Sequence, residues 1–242
     1  KAGVPADLVP GRYGDRLGFV HKLLKDQIMP SIIGNQLGVV LYTGEGFEQV
    51  TLTDDWTATG WVLDNWMKIG NAPGGGSDYS SGLDKAMQML ERDKIPGRSQ
   101  VIVLFTDGGF TGAEEDLAKV LEKLGNSNAR LIVVGVGGQT PIPIKIYDQD
   151  GNVTGVEKKD DEVALTAIDE AAVAALAASA NSEYFILDPD SDGKLNINWA
   201  SKLGGSKTET KDNPVFQNPL GLAYLLLTGL FMRGLLRRKV AA

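Results

Sequence analysis

Three stretches of this 242-residue chain constrain its fold more than anything else in it. LGVVLYT (37–43), SQVIVLFTD (99–107) and ARLIVVGVGG (129–138) are continuous apolar runs of strand length. They do not alternate apolar with polar residues, so each demands cover on both faces. Segments of helical periodicity lie between them. Buried strands separated by helices build a mostly parallel sheet wrapped on both sides, because parallel neighbours need a crossover and the helices provide it. The fold class is therefore α/β, a doubly wound, mostly parallel sheet.

The remaining elements fit that rhythm. Residues 15–33 place Leu17, Val20, Leu24 and Ile28 at helical spacing, with Asp15 at the N-cap position and Pro30 as a stop. EQVTLT (48–53) predicts a shorter strand. Residues 55–69 predict a helix whose Trp56, Trp61 and Trp66 pack inward. Residues 80–93 carry Leu83, Met87 and Leu90 on one helical face. Helices are expected over 113–124 and the Ala-rich 165–180, and a last strand over SEYFILD (182–188). Residues 139–161 break the pattern. YDQDGNVTGV sets an Asp-Gly turn between β-prone runs and predicts a hairpin insertion, with Asp148, Asp150 and Asn152 as turn residues.

The C-terminal region is a different material. Pro219 to Leu236 is uncharged but for Arg233, and its 18 residues would span about 27 Å as a helix, close to the hydrocarbon thickness of a bilayer. It is apolar all round, which fits a transmembrane helix better than a surface one. Arg233, Arg237, Arg238 and Lys239 cluster at its end. Basic flanks prefer the cytoplasmic side, so the C-terminus is expected in the cytoplasm and the acidic bulk in the periplasm of a bacterial inner (cytoplasmic) membrane. Residues 201–218 are polar and read as a juxtamembrane linker.

Composition closes off several chemistries. No cysteine means no disulfide scaffold, thiolate zinc site or cysteine nucleophile. The single histidine, His21, leaves little room for a histidine metal cluster or a hydrolytic triad and reads as a structural helix residue. A net charge of −7, concentrated outside the basic tail, argues against non-specific nucleic-acid binding. The glycines form neither GxxxxGK[ST] nor a glycine finger directly after a strand, so a nucleotide site is not indicated. No nucleophile–base pair or acid pair suggests an enzyme.

Ligands of open parallel sheets bind beyond the carboxyl ends of strands. Two loops qualify there: LFTDGG with Asp107, and PGGGSDY (73–79) with Ser77. A carboxylate and a hydroxyl suit an oxygen-ligated cation such as Mg²⁺. Each also has a structural reading, Ser77 or Asp78 as a helix N-cap and Asp107 as a turn residue. A second acidic run, DPDSDGKLNINW (188–199), puts Asp188, Asp190, Asp192 and Gly193 at positions 1, 3, 5 and 6 of a Ca²⁺ loop. Position 12 is Trp199 instead of an acid, so a weak Ca²⁺ site stands against a solvated acidic turn.

VVLYTGEGFEQVTLTDDW, GGGSDYSSGLDKAMQML, VIVLFTDGG and LIVVGVGG, in that order, resemble a von Willebrand factor A (VWA) domain. TPIPIKIYDQDGNVTGVEKKD, followed by a helix, a strand and the apolar run, resembles the membrane-anchored Bat-type bacterial VWA proteins associated with MoxR-type AAA+ ATPases, and similar methanol-oxidation accessory proteins. The resemblance implies a VWA domain over 1–200, a linker over 201–218, a transmembrane helix over 219–236 and a basic tail over 237–242. It also implies a metal-ion-dependent adhesion site (MIDAS) in which Ser77 and Asp107 hold a Mg²⁺ or another divalent cation that a partner's carboxylate completes. The family's first element, Asp-x-Ser-x-Ser after a central first strand, has no match in this sequence. That strand would neighbour residues 101–106, and without it two half-sheets would present unpaired edges. An upstream strand carrying the missing ligands is the expectation. The implied function is a non-enzymatic, membrane-anchored protein-interaction module. Its partners would be other membrane or periplasmic VWA subunits, client proteins and a MoxR-type ATPase. The alternative is a metal-independent structural subunit of a membrane complex.

Overall fold

The computed structural model describes residues 16–67, 72–147, 153–188 and 194–204. All of them lie in the first of two compact units, Lys1–Lys207; the second, Thr208–Ala242, falls outside them together with the predicted span 219–236. Among the described residues no helix is long and apolar enough to cross a membrane.

The chain opens with helix α1 (Arg16–Leu23), which continues through a π-helical turn, Leu24–Ile28, into a last turn, Met29–Ser31. Val20, Leu24 and Ile28 are buried, as their spacing predicts. Pro30 lies inside that last turn instead of ending the helix before it. A proline there has no N–H to give and its ring crowds the preceding turn. The π-turn ahead of it widens the ladder, with Met29 N–H bonded to Leu24 O. Asp15 is outside the described residues.

Strands β1 (Leu37–Tyr42) and β2 (Gly46–Thr53) form an antiparallel hairpin. Helices α2 (Trp56–Trp66) and α3 (Tyr79–Arg92) follow, then β3 (Gln100–Thr106), α4 (Glu114–Gly125) and β4 (Ala129–Val136). The insertion contains short antiparallel ladders. These pair β5 (Ile142–Pro143) with β10 (Leu165–Thr166), β6 (Lys145–Tyr147) with β7 (Val153–Val156), and β8 (Lys158–Lys159) with β9 (Glu162–Val163). The Asp-Gly turn itself, with Asp148, Asp150 and Asn152, is outside the described residues. Helix α5 (Glu170–Ser179), strand β11 (Glu183–Leu187) and helix α6 (Trp199–Leu203) complete the described chain.

Two expectations are corrected. The Ala-rich helix starts at Glu170, not 165, because Asp169 caps it by accepting the Ala172 N–H, while Leu165 and Thr166 pair with β5. Trp61 and Trp66 are 58% and 50% exposed, not packed inward. Only one stripe of α2 meets the core, carrying Thr59, Leu63 and the neighbouring Met67; Trp56 joins it in part.

β3, β4 and β11 form a parallel sheet in the order β11-β4-β3, in continuous register from Gln100↔Ala129 to Thr106↔Gly135. Side chains alternate between its two faces. Ile132, Val134, Val136 and Leu187 join α1 and α6, while Ile102, Leu104, Leu131 and Val133 join α3, α4 and α5. The sheet is therefore covered on both sides, as the continuous apolar runs require.

Among the described residues β1 and β3 share no ladder. Between them lies a cavity of about 640 Å³, lined by β1 on one side and β3 on the other. Leu17, Val20 and Leu24 of α1 and Leu83, Ala86 and Met89 of α3 also line it. This is the separation into two half-sheets that the sequence predicts for the position beside residues 101–106.

Candidate functional site

The carboxyl ends of β1 and β3 open into the mouth of this slot, where Arg16, Thr43, Ser77 and Asp107 all lie. The loop that carries Ser77 is tied down at both ends. Thr43, directly after β1, donates its hydroxyl to Pro73 O at 2.6 Å and accepts the Asp78 N–H at its carbonyl, also at 2.6 Å. Ser77 N–H donates to Thr111 Oγ1 at 2.7 Å, and Thr111 N–H donates to Ser77 O at 3.1 Å. This reciprocal pair joins the glycine-rich loop to the loop after β3.

Asp78, not Ser77, caps α3: its Oδ1 accepts from Ser80 N–H at 2.9 Å, Ser81 N–H at 3.3 Å and the Ser80 hydroxyl at 2.5 Å. Of the two structural readings, the cap therefore belongs to Asp78, and Ser77 has no such duty. Asp107 combines a turn role with a partly buried carboxylate. Its carbonyl accepts the Asp169 N–H at 2.8 Å and its Oδ1 accepts the Gly109 N–H at 3.0 Å. Gly108 sits at φ +89, and a Cβ on it would lie 2.5 Å from Asp169 O. Only glycine lets the turn close against the start of α5.

Arg16 donates its Nη1 to Asp107 Oδ2 in an ion pair. On the opposite side of the cleft Tyr42 reaches from β1 to β3 and donates its hydroxyl to Phe105 O at 2.8 Å. Burial raises the Tyr42 pKa far above its ordinary value, so the hydroxyl keeps its proton and remains a donor.

Ser77 and Asp107 thus line the same cavity, together with Thr43 and Arg16, and Thr111 is bonded to the Ser77 backbone. Those three were missed in the sequence. Thr43 closes a predicted strand and Thr111 follows the glycine pair by two residues, weak signals both; Arg16 gave none, being 91 residues from its partner. The Ser77 hydroxyl and the Asp107 carboxylate are hard oxygens, the kind that Mg²⁺, Mn²⁺ or Ca²⁺ takes, whereas Arg16 is a cation and no ligand. These oxygens fit a divalent cation in kind but fall short of a full coordination sphere. Among the described residues no group of three or more acidic or histidine side chains gathers for a metal. Asp188 follows β11 and is exposed, two strands from Asp107. Asp190 and Asp192 are outside the described residues, and Trp199, at position 12 of that loop, is buried in the core and offers no oxygen.

The von Willebrand factor type A domain model matches residues 15–196. The chain belongs to the VWA family. Domains of this family generally mediate protein–protein interactions and often bind a divalent metal ion. Two solved structures share its fold. An aerotolerance-related membrane protein from Bacteroides fragilis, carrying multiple mutations to serine, is 19% identical, with 81% of this chain and 89% of that one covered and a TM-score of 0.62. The conserved hypothetical protein BatB from Bacteroides thetaiotaomicron is 18% identical, with 84% and 96% covered and the same TM-score of 0.62. No curated protein matches the chain by sequence.

Proposed function

We propose that this VWA domain is the binding head of a membrane-anchored, Bat-type subunit and takes protein partners at the slot mouth through a divalent cation on Asp107. The observation that carries the reading is that Asp107 and Ser77 line one cavity at the carboxyl ends of β1 and β3, on loops joined by the Ser77–Thr111 hydrogen bonds. When bound, the cation supplies a Lewis-acidic position for a carboxylate from the partner. Ser77 and Asp107 would hold it, and Thr111 fixes the Ser77 backbone.

The reading includes a strand between β1 and β3, contributed by polypeptide upstream of α1 and bringing further oxygen ligands to the mouth. The apolar run 219–236 anchors the domain on the periplasmic face of the inner membrane. Candidate partners are other membrane or periplasmic VWA subunits, with a MoxR-type ATPase in the same assembly. The domain performs no catalysis in this reading. A Ca²⁺ at Asp188, Asp190 and Asp192 is the weaker metal proposal.

The test compares membrane-extracted protein in Mg²⁺, in EDTA and with Asp107→Ala. Cross-linking to co-encoded membrane subunits should fall at least tenfold in the last two, a loss of about 1.4 kcal/mol or more. Retention of the partner in both conditions rejects the cation and leaves the metal-independent structural subunit.

A further inference from the structure

Arg16 gives the candidate site a cation of its own. Its Nη1 donates to Asp107 Oδ2, and Asp107 Oδ1 already holds the Gly109 N–H, so both carboxylate oxygens are engaged. The pair is largely shielded, with the two side chains 28% and 30% exposed.

Two features describe where the guanidinium lies. Gly137, just past β4, has φ +137, and a Cβ on it would lie 2.7 Å from Arg16 Nε. The guanidinium therefore passes close over the Gly137 backbone, whose positive φ itself favours glycine. In addition, Arg16 is the first residue of α1, and no acidic residue stands in that turn. A cation at a helix N-terminus opposes the helix dipole. Its place is held by the ion pair with Asp107 instead of by the helix.

We infer that Arg16 is a competing cation built into the site: it occupies the Asp107 carboxylate when no divalent ion is bound, and an ion must displace it to coordinate Asp107. This rests on the cation-site reading above. A carboxylate oxygen that takes a charge-assisted bond from arginine cannot at the same distance accept a second cation without like-charge repulsion. The ion therefore binds Asp107 more weakly than the oxygens alone would allow. Further ligands, from a partner carboxylate or the inserted strand, tip the balance. Arg16 thereby couples cation binding to partner arrival.

The test titrates the full chain with Mn²⁺, following free Mn²⁺ by electron paramagnetic resonance, for wild type, Arg16→Gln, Asp107→Asn and the double variant. Removing the competitor should tighten Mn²⁺ on the order of tenfold, and Asp107→Asn should abolish that gain. Thermal unfolding supplies the second readout. In EDTA, Arg16→Gln should lower Tm when Asp107 is intact but not when it is combined with Asp107→Asn, and saturating Mn²⁺ should erase the difference. If Arg16→Gln binds Mn²⁺ no tighter than wild type while Asp107→Asn binds it more weakly, Arg16 does not compete, and the cation site stands without it. If Asp107→Asn binds as tightly as wild type, or no form binds Mn²⁺, the cation-site reading fails and this inference with it. Should Arg16→Gln fold poorly, Arg16→Lys keeps the charge and loses the planar fork. A smaller gain in the same direction then supports the inference, and no gain overturns it.

Discussion

His21 shows what one residue can hide. It is the sole histidine, sits on α1 and is 4% exposed. Its Nε2 lies 3.0 Å from Asp64 Oδ1, and Lys25 Nζ donates to both Asp64 oxygens at 2.8 and 2.7 Å. The sequence assigns His21 a structural role but not this partner, because Asp64 is 43 residues away and only tertiary packing brings α2 beside α1. Burial lowers the His21 pKa below 6.5, against the opposing pull of Asp64 and with a smaller contribution from Lys25; Asp26 pulls the other way. Burial also acts to raise the Asp64 pKa, but the Lys25 and His21 hydrogen bonds and charges outweigh it and leave the carboxyl below its ordinary 3.8. A histidine with a lowered folded-state pKa lets the unfolded chain take the proton first. Its contribution is complete above pH 6.5 and is lost as pH falls toward the folded-state value. Asp64 acts in the same sense, but only below pH 3.8. No other side chain has an ordinary pKa between 5 and 8 here. Urea midpoints should therefore be lower at pH 5 than at pH 8, and His21→Gln should reduce that difference. An equal difference in the variant removes His21 as its source.

At the scale of elements, legibility follows periodicity. β4 is unmistakable because both its faces are buried, β3 because one face is buried and the other half-buried, and α3 because Leu83 and Met87 form a stripe. α2 was misread because tryptophan is apolar at any position, and its three copies do not share one face of the helix. Leu63 is 1% exposed while Trp61 is 58% exposed. Leu63→Ala should cost roughly 2–5 kcal/mol through the cavity it leaves, whereas Trp61→Ser should stay within about 0.5 kcal/mol. Denaturant unfolding separates the two, and equal losses would return Trp61 to the core. The short ladders of the insertion were read as one hairpin because two-residue strands have no period to detect. For α3 the sequence left Ser77 and Asp78 as rival caps, and three hydrogen bonds decide for Asp78. Asp78→Ala should cost about 1 kcal/mol. It should also loosen the Thr43 contact that holds the Ser77 loop, visible as faster amide exchange at Ser77 and Thr111.

At the scale of the whole molecule, the decisive fact is the division of the sheet. Half the candidate site was legible because Ser77 and Asp107 each follow a sequence signal. Arg16 was not, since its role exists only where α1 crosses the carboxyl ends of β3 and β4. The slot between β1 and β3 has apolar walls from α1 and α3 and strand edges on both sides. Tyr42 reaches across it to Phe105 O at one end. Backbone groups on those edges must otherwise turn to water, which an apolar cleft serves badly. An extended segment with apolar residues on both faces, running parallel to β3, would satisfy both edges and seal the two cores together. Hydrogen exchange tests this directly. In this 242-residue chain, β4 amides, paired on both sides by β3 and β11, should exchange most slowly, and amides of β1 and β3 facing the slot much faster. Extending the chain upstream through the proposed strand should slow the slot-facing amides by at least a hundredfold, about 2.7 kcal/mol of added protection, and leave the insertion unchanged. If those amides are already as slow as β4, the edges need no partner. The site must then be complete with Arg16, Ser77 and Asp107 as they stand.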